Sequence, residues 1–393
     1  MKRNVTSFVV GLMAVALVFQ CSKNKKADVS SDIAYCAAQA EKTLEQLPDD
    51  DVLPRNIDQD KSTWRFVEAG DWTSGFWPGI LWYLYEGTGD EKWKTQADKA
   101  TRKLTSLSQQ AAHDHDLGFQ IFNSFGNGYR LTGNEEYKEV ILRTADSLAT
   151  LFHPKVGTIL SWPGAYKEKA SHNTIVDNMM NLELLFWASK NGGTKSLYDV
   201  AVKHAETTMK NHFRNDYSAY HVVLYDTASG ARVAGITAQG YADESMWARG
   251  QAWAIYGFTM VYRETKDKKF LEFAEKITDV YLNRLPEDLV PYWDFDAPKI
   301  PNEPRDAAAA AITASALLEL SDYVSKDKGT EYRHKAKAMI ETLSGEAYRS
   351  NDKNPAFLLH VTGHKPDNSE VDASIIYADY YYIEALIRLN PEP

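Results

Sequence analysis

Two kinds of helical stripe alternate along this chain. Six segments open on an aromatic residue and keep their apolar residues to one face; they begin near Tyr35, Trp93, Tyr137, Tyr198, Phe270 and Tyr332. An alanine follows three or four residues later in five of them (Ala38, Ala97, Ala201, Ala274 and Ala336), and Ile141 takes that place in the third. A one-sided stripe predicts a helix with one face buried and the other in water. Between these lie six apolar stretches without a charged face, at 74–85, 119–131, 175–189, 246–262, 307–323 and 373–387, which predict helices buried on most sides. Similar turns join them: Gly87-Thr88-Gly89-Asp90, Thr132-Gly133-Asn134, Gly192-Gly193-Thr194 and Lys326-Asp327-Lys328-Gly329.

Six polar helices outside six apolar ones predict an all-α fold, an (α/α)6 barrel (a six-hairpin toroid), as a single domain over residues 31–393. An open stack of such pairs would need polar capping repeats at its ends. The last apolar stretch, with Tyr380-Tyr381-Tyr382-Ile383-Glu384-Ala385-Leu386, looks like the middle ones, so the ring is expected to close. Strand signals fall in the loops that enter the apolar helices. The clearest lies within 213–235, where His221-Val222-Val223-Leu224-Tyr225 and a turn at Ser229-Gly230 predict a small β-hairpin at one mouth of the ring.

The N-terminus changes the picture of where such a domain works. Lys2 and Arg3 precede an apolar run at 8–19, and the chain turns polar after Gln20-Cys21. This is the layout of a bacterial export signal over residues 1–20, followed by a polar linker at 21–30. The run is too short for a comfortable membrane span. Cys21 sits where a lipoprotein carries its lipid, although Phe19-Gln20 is a poor match to the usual small residues. The expectation is an exported, periplasmic protein that meets a membrane only through a lipid anchor, as a monomer or weak dimer. Loss of residues 1–20 removes Lys2 and Arg3 and moves the formal charge from −10 to −12, which disfavours nucleic acid as a partner. Cys36 is then alone, so neither an internal disulfide nor a cysteine metal site is expected.

Two aspartates stand in unusual company. Asp116, in His115-Asp116-Leu117-Gly118-Phe119, and Asp177, in Val176-Asp177-Asn178-Met179-Met180-Asn181, each lie where a loop enters an apolar helix. A carboxylate there costs free energy unless it is paired, hydrogen-bonded or used. It is either a helix cap, a common role for aspartate, or an acid/base group. The other loops that enter apolar helices hold Trp72, Trp162, His221, Gln239 and the run Ala248-Arg249-Gly250-Gln251-Ala252-Trp253. A toroid gathers all of them at one end, which suggests a site. With ten Trp and 22 Tyr in the chain, sugar stacking and core filling are both open. Trp77, Trp82 and Trp187 repeat at helical spacing and read as core. Arg249 is either in a buried ion pair with Asp243 or Glu244, or a clamp for a ligand carboxylate. His113, His115 and Asp116 lack the spacing of a metal site, and no Gly-x-Ser-x-Gly elbow is present.

Four co-ordered motifs resemble the unsaturated glucuronyl hydrolases of glycoside hydrolase family 88. They are His115 to Phe119, Asp177 to Asn181, Ala248 to Trp253, and Val371-Asp372 with Ala378 to Leu386; the likeness runs from about Asp71 to Leu389. The resemblance implies an (α/α)6 barrel that needs no cofactor or metal. It also implies a lyase-made oligosaccharide substrate with a C4=C5 double bond in its terminal uronate, most simply from a glycosaminoglycan. Asp177 matches the general acid/base, and Asp116 the second aspartate, which orients the ring. By similarity Trp72, Trp162 and Trp253 flank the sugars, while His115, His221, Gln239 and Arg249 hold the uronate and its surroundings. Asp177 is then expected to be protonated at rest, through desolvation and the neighbouring Asp116. The loop Val361-Thr362-Gly363-His364-Lys365-Pro366 lies where the family distinguishes sulfated partners; His364 and Lys365 either meet a sulfate or are solvated. Three alternatives stay open: an unsaturated rhamnogalacturonyl hydrolase acting on pectin fragments, a non-catalytic glycan-binding lipoprotein, and a sugar epimerase on the same ring with paired histidines.

Overall fold

A computed structural model describes residues 29–48 and 51–390. The export signal and Cys21 lie outside the described residues. The last two positions of the expected linker, Val29 and Ser30, already belong to the first helix.

Helices alternate outward and inward along the chain. In order, the pairs are α1 (Val29–Gln46) with α2 (Phe76–Thr88), and α3 (Glu91–Arg102) with a π-helical turn (Gly118–Gly126) that runs into α4 (Asn127–Thr132). They continue with α5 (Glu135–Ala149) and α6 (Asn178–Lys190), α7 (Lys195–Asn211) and α8 (Ala248–Thr265), α9 (Lys268–Arg284) and α10 (Ala307–Leu320), and α11 (Lys326–Leu343) and α12 (Ile376–Leu389). The inner members pack neighbour to neighbour, and α12 returns to α2, so the ring closes as the apolar periodicity predicts. Trp93, Ala97, Tyr137, Ile141, Ala201, Phe270, Ala274, Tyr332 and Ala336 are buried, which makes the one-sided stripe the seam between outer and inner rings.

The first and last repeats depart from the expected register. In α1 the buried positions are Asp32, Ile33, Cys36, Gln39, Ala40 and Thr43, and Ala38 is exposed. Helix α11 begins at Lys326, so the expected turn at 326–329 is its first turn. Gly329 is needed there because a Cβ would lie 2.4 Å from the Ser321 carbonyl oxygen, where α11 crosses the end of α10.

The strands are short and line the site's mouth. Strand β1 (Leu53–Ile57) pairs with β2 (Arg65–Val67), and β3 (Phe152–His153) with β4 (Thr158–Ile159). The expected hairpin is β6 (Val222–Tyr225) with β7 (Arg232–Ile236), and it gains a third strand, β5 (His172–Ile175), on the other edge of β6. Strand β8 (Ser374–Ile375) joins the free edge of β1 and leads straight into α12.

Candidate active site

Strand pairing brings the first two functional groups together. Ile175 pairs with Val222, and the Val176 amide donates to the His221 carbonyl at 3.0 Å. Asp177, one residue beyond that bond, therefore meets His221 just before β6. The same hairpin folds β7 back so that the amides of Ala238 and Gln239 donate to His221 Nδ1 at 3.2 and 3.1 Å. Two donors on Nδ1 leave the ring proton on Nε2, which faces Asp177 Oδ1 at 3.8 Å. Burial holds this histidine well below its ordinary pKa, so it is neutral.

Asp177 starts α6 but makes no capping bond. Its Oδ1 is buried without a hydrogen-bond partner among the described residues. Burial pushes its pKa up to about 7, against the opposing pull of Arg249 and a hydrogen bond from Trp253. The cap reading of Asp177 therefore fails.

Asp116 caps nothing either. It lies just before the π-helical turn, and its Oδ1 faces His115 Nε2 at 3.4 Å. Burial holds it well above the usual carboxylate range, with further repulsion from Asp114, Asp177 and Asp71. Desolvation is the largest cause of the rise at Asp177, as expected, and the two carboxyls repel one another.

Arg249 is in a buried ion pair, but with neither acid named from the sequence. Its Nη1 donates to Asp306 Oδ2 at 2.5 Å, while Asp243 accepts from the Thr237 amide and Glu244 pairs with Arg214. The reason is ring order: Arg249 opens α8, and Asp306 caps the start of its neighbour α10. Arg249 also donates to the carbonyls of Thr362 at 2.7 Å and Gly363 at 2.6 Å, and Gln239 Nε2 reaches Gly363 at 3.4 Å. Arg249 and Gln239 thus dock the 361–366 loop beside the carboxyls. His364, on that loop, is near enough to His221 to depress its pKa, and its Nε2 lies 3.5 Å from Asp367; Lys365 is half-buried next to it.

The three tryptophans differ. Trp72 is half-buried and stacks on Tyr377 at 5.3 Å, and Trp162 is half-buried with its face edge-on to His221 at 5.8 Å. Both have surface left for a ligand. Trp253 is buried at 1% exposure between Phe119 and Tyr381, so it is a floor and a donor to Asp177, not a stacking platform. Trp77 and Trp82 are core, whereas Trp187 is half-buried at the far end of the ring.

Sequence reasoning missed several neighbours. Trp247 lies 4.4 Å from His221 and 4.8 Å from the Arg249 guanidinium, and Tyr377 lies under Trp72 and Arg249. Asp306 had a signal, a capping residue directly before the run Ala307–Ala311. Asn181 was only part of a motif, yet it holds His115.

A cavity of about 500 Å3 opens at the opposite end of the ring, with Phe122, Tyr129, Trp187, Arg263 and Arg388 in its lining. It is separated from the carboxyls by Phe119, Trp253 and Tyr381. Its charges satisfy one another. Arg263 pairs with Glu183, Glu264 and Glu319, Arg388 with Glu319 at 3.2 Å, and Glu384 accepts from Tyr83, Tyr256 and Ser315. The unpartnered polar atoms of His115, Asp177 and His221 lie towards the other mouth.

Two buried, non-capping carboxyl groups beneath half-open tryptophans, in a closed (α/α)6 ring, are the equipment of a glycoside hydrolase. The sequence profile of Glycosyl Hydrolase Family 88 matches residues 40–385, and the chain belongs to that family. It is 44% identical to an unsaturated glucuronyl hydrolase of Formosa agariphila, over 86% of this chain and 84% of that one. It is 34% identical to an unsaturated chondroitin disaccharide hydrolase of Streptococcus pneumoniae, over 92% of each. The crystal structure of an unsaturated glucuronyl hydrolase specific for heparin superposes with a TM-score of 0.88 at 42% identity, covering 92% of this chain and 96% of that one. This family decides against the epimerase, although two histidines do face the carboxyls.

Proposed function

We propose that this unsaturated glucuronyl hydrolase acts on glycosaminoglycan oligosaccharides left by a lyase, and that Asp177 begins the reaction by protonating C4 of the terminal C4=C5 uronate. A vinyl ether yields only to a well-placed acid, and a carboxyl with a pKa of about 7 still carries its proton near neutrality. Protonation leaves an oxocarbenium-like cation at C5 beside the newly ionised Asp177, which stabilises it and then takes a proton from the water that attacks C5. The hemiketal opens to a C5 ketone, and the hemiacetal at C1 collapses to release the remaining sugar. One water is consumed, and Asp177 ends as it began. Asp116, protonated, and the neutral His115 and His221 supply hydrogen bonds that orient the ring. Trp72 and Trp162 flank the sugars, and His364 and Lys365 are placed for the partner sugar or its sulfate.

The observation that carries this reading is the Asp177 carboxyl: buried, capping nothing, with one oxygen unpartnered. Reaction in heavy water tests it. Deuterium delivered to a single face of C4 is expected; label spread over both C4 positions during turnover would mean solvent protonation of a freed enol after attack at the glycosidic bond and would remove Asp177 from this role. We also propose export and lipid attachment at Cys21, from the layout of residues 1–21. Radiolabelled palmitate should enter the wild-type protein in a bacterial host and not the Cys21→Ser variant; no label in the wild type would sink the anchor.

A further inference from the structure

Each carboxyl in the site faces an imidazole N–H, and the two imidazoles are set by different means. For His221 the backbone decides, through the amides of Ala238 and Gln239. For His115 the decision falls to one side chain. Asn181, fully buried in the first turn of α6, accepts the Phe119 amide on Oδ1 at 2.8 Å. A backbone N–H can only donate, so this contact identifies the amide oxygen and leaves Nδ2 as the other end. That Nδ2 lies 3.2 Å from His115 Nδ1, and because it is a donor it requires a lone pair there. A neutral ring with a bare Nδ1 carries its proton on Nε2. His115 is fully buried and held neutral, with a pKa pushed down to about 3. Its Nε2 makes no hydrogen bond among the described residues, and the nearest carboxyl oxygen given for it is Asp116 Oδ1 at 3.4 Å.

We propose that Asn181 is a positioning residue: locked by the Phe119 amide, it fixes His115 in the Nε2–H tautomer and so presents that N–H to Asp116. The packing supports the lock. Gly118 lies against Asn181, where a Cβ would come within 2.5 Å of the Asn181 Cα, so the amide is held from both sides. With the N–H in place, a donor that stays neutral stands within reach of Asp116 while charge moves through the site. The opposite tautomer would turn a lone pair towards Asp116 and leave its oxygen without that donor. The catalytic part of this inference rests on the function proposed above; the tautomer does not.

The test is the isosteric Asn181→Asp substitution, read in two ways. One aspartate oxygen can keep the Phe119 amide, but the other accepts, so His115 must place a proton on Nδ1. Nitrogen-15 spectra of histidine-labelled protein should show a pyridine-like Nδ1 and a pyrrole-like Nε2 for His115 in the wild type, with a protonated Nδ1 in the variant. Turnover of an unsaturated disaccharide should fall by about 10–100-fold, the usual effect of removing an orienting partner, with KM nearly unchanged. A wild-type His115 protonated on Nδ1 would overturn the proposal, and this measurement needs no variant to fold. A tautomer switch with unchanged turnover would overturn its catalytic part. A wild type inactive on the disaccharide would instead overturn the proposed function, because the wild-type spectrum reads the wiring without substrate.

Discussion

Aspartates at helix starts meet different fates in this molecule. Asp90 and Asp267 stand in water and accept from the amides of Lys92 and Lys269, as caps do. Asp177 holds the same position on α6 with no such bond, and its pKa rises from 3.8 to about 7. Residue identity alone could not separate these cases, because the difference is the direction of one carboxyl group and the burial around it. The partner of Arg249 was hidden for the same reason: Asp306 is distant in sequence and adjacent only once the ring forms. The raised pKa has a definite sign. Folded Asp177 binds its proton more tightly than the unfolded chain does, so its contribution to stability is intact below pH 3.8 and is lost as pH rises through about 7. Above that pH the buried charge costs about 4 kcal/mol, an upper figure. The melting temperature of Asp177→Asn relative to the wild type should therefore rise from about pH 4 to about pH 8, because the unfolded wild type ionises from 3.8 upward while the folded one holds its proton to about 7. Melting curves that stay parallel across this range would contradict a buried acid. The proposed reaction uses the same proton, so kcat/KM of the wild type should decline above about pH 7.

Among the elements, those with a strong period were legible. The stripe of Trp93, Ala97, Tyr137, Ile141, Phe270 and Ala274 faces inward as predicted, because an outer helix has only one face to bury. The first repeat was misplaced by its aromatic residue: Tyr35 is half-buried, and the seam runs through Ile33, Cys36 and Ala40. The second inner helix begins as a π-helical turn at Gly118–Gly126, which apolar periodicity cannot distinguish from an α-helix. Its position matters, since it directly follows Asp116 and its Phe119 amide reaches across to Asn181. The hairpin was legible from the β-forming run Val222-Val223-Leu224-Tyr225 and the turn after it, whereas β5 was not. Its His172-Asn173-Thr174-Ile175 holds one apolar residue, and only its pairing with β6 brings Asp177 to His221. Four of the non-glycine residues with positive φ, His360, Asn368, Glu370 and Asp372, fall in the segment that carries the docked 361–366 loop. Strain of this kind gathers where a surrounding structure holds a loop for function.

At the scale of the whole ring, the two mouths divide the work. Loops at the N-terminal ends of the inner helices carry the carboxyls, and the C-terminal ends carry a closed network of arginines and glutamates around the rear cavity. Arg263 is its hub, with Glu183, Glu264 and Glu319 as partners. Removing one member of a half-buried network leaves charge uncompensated, at a cost below the roughly 3–5 kcal/mol of a fully buried pair. Arg263→Met should lower the melting temperature by several degrees and leave kcat per folded molecule unchanged. A loss of kcat at unchanged stability would tie the rear network to the chemistry and contradict the division. The central claim is that Asp177 protonates an unsaturated uronate, and loss of that uronate's ultraviolet absorbance reads it most directly. Wild type and Asp177→Asn should be compared on heparin, chondroitin, hyaluronan and pectin lyase products. Absorbance should fall with a glycosaminoglycan product for the wild type, and about 10²–10⁴-fold more slowly for the variant. Undiminished loss in the variant, or loss with the pectin product alone, would contradict the account.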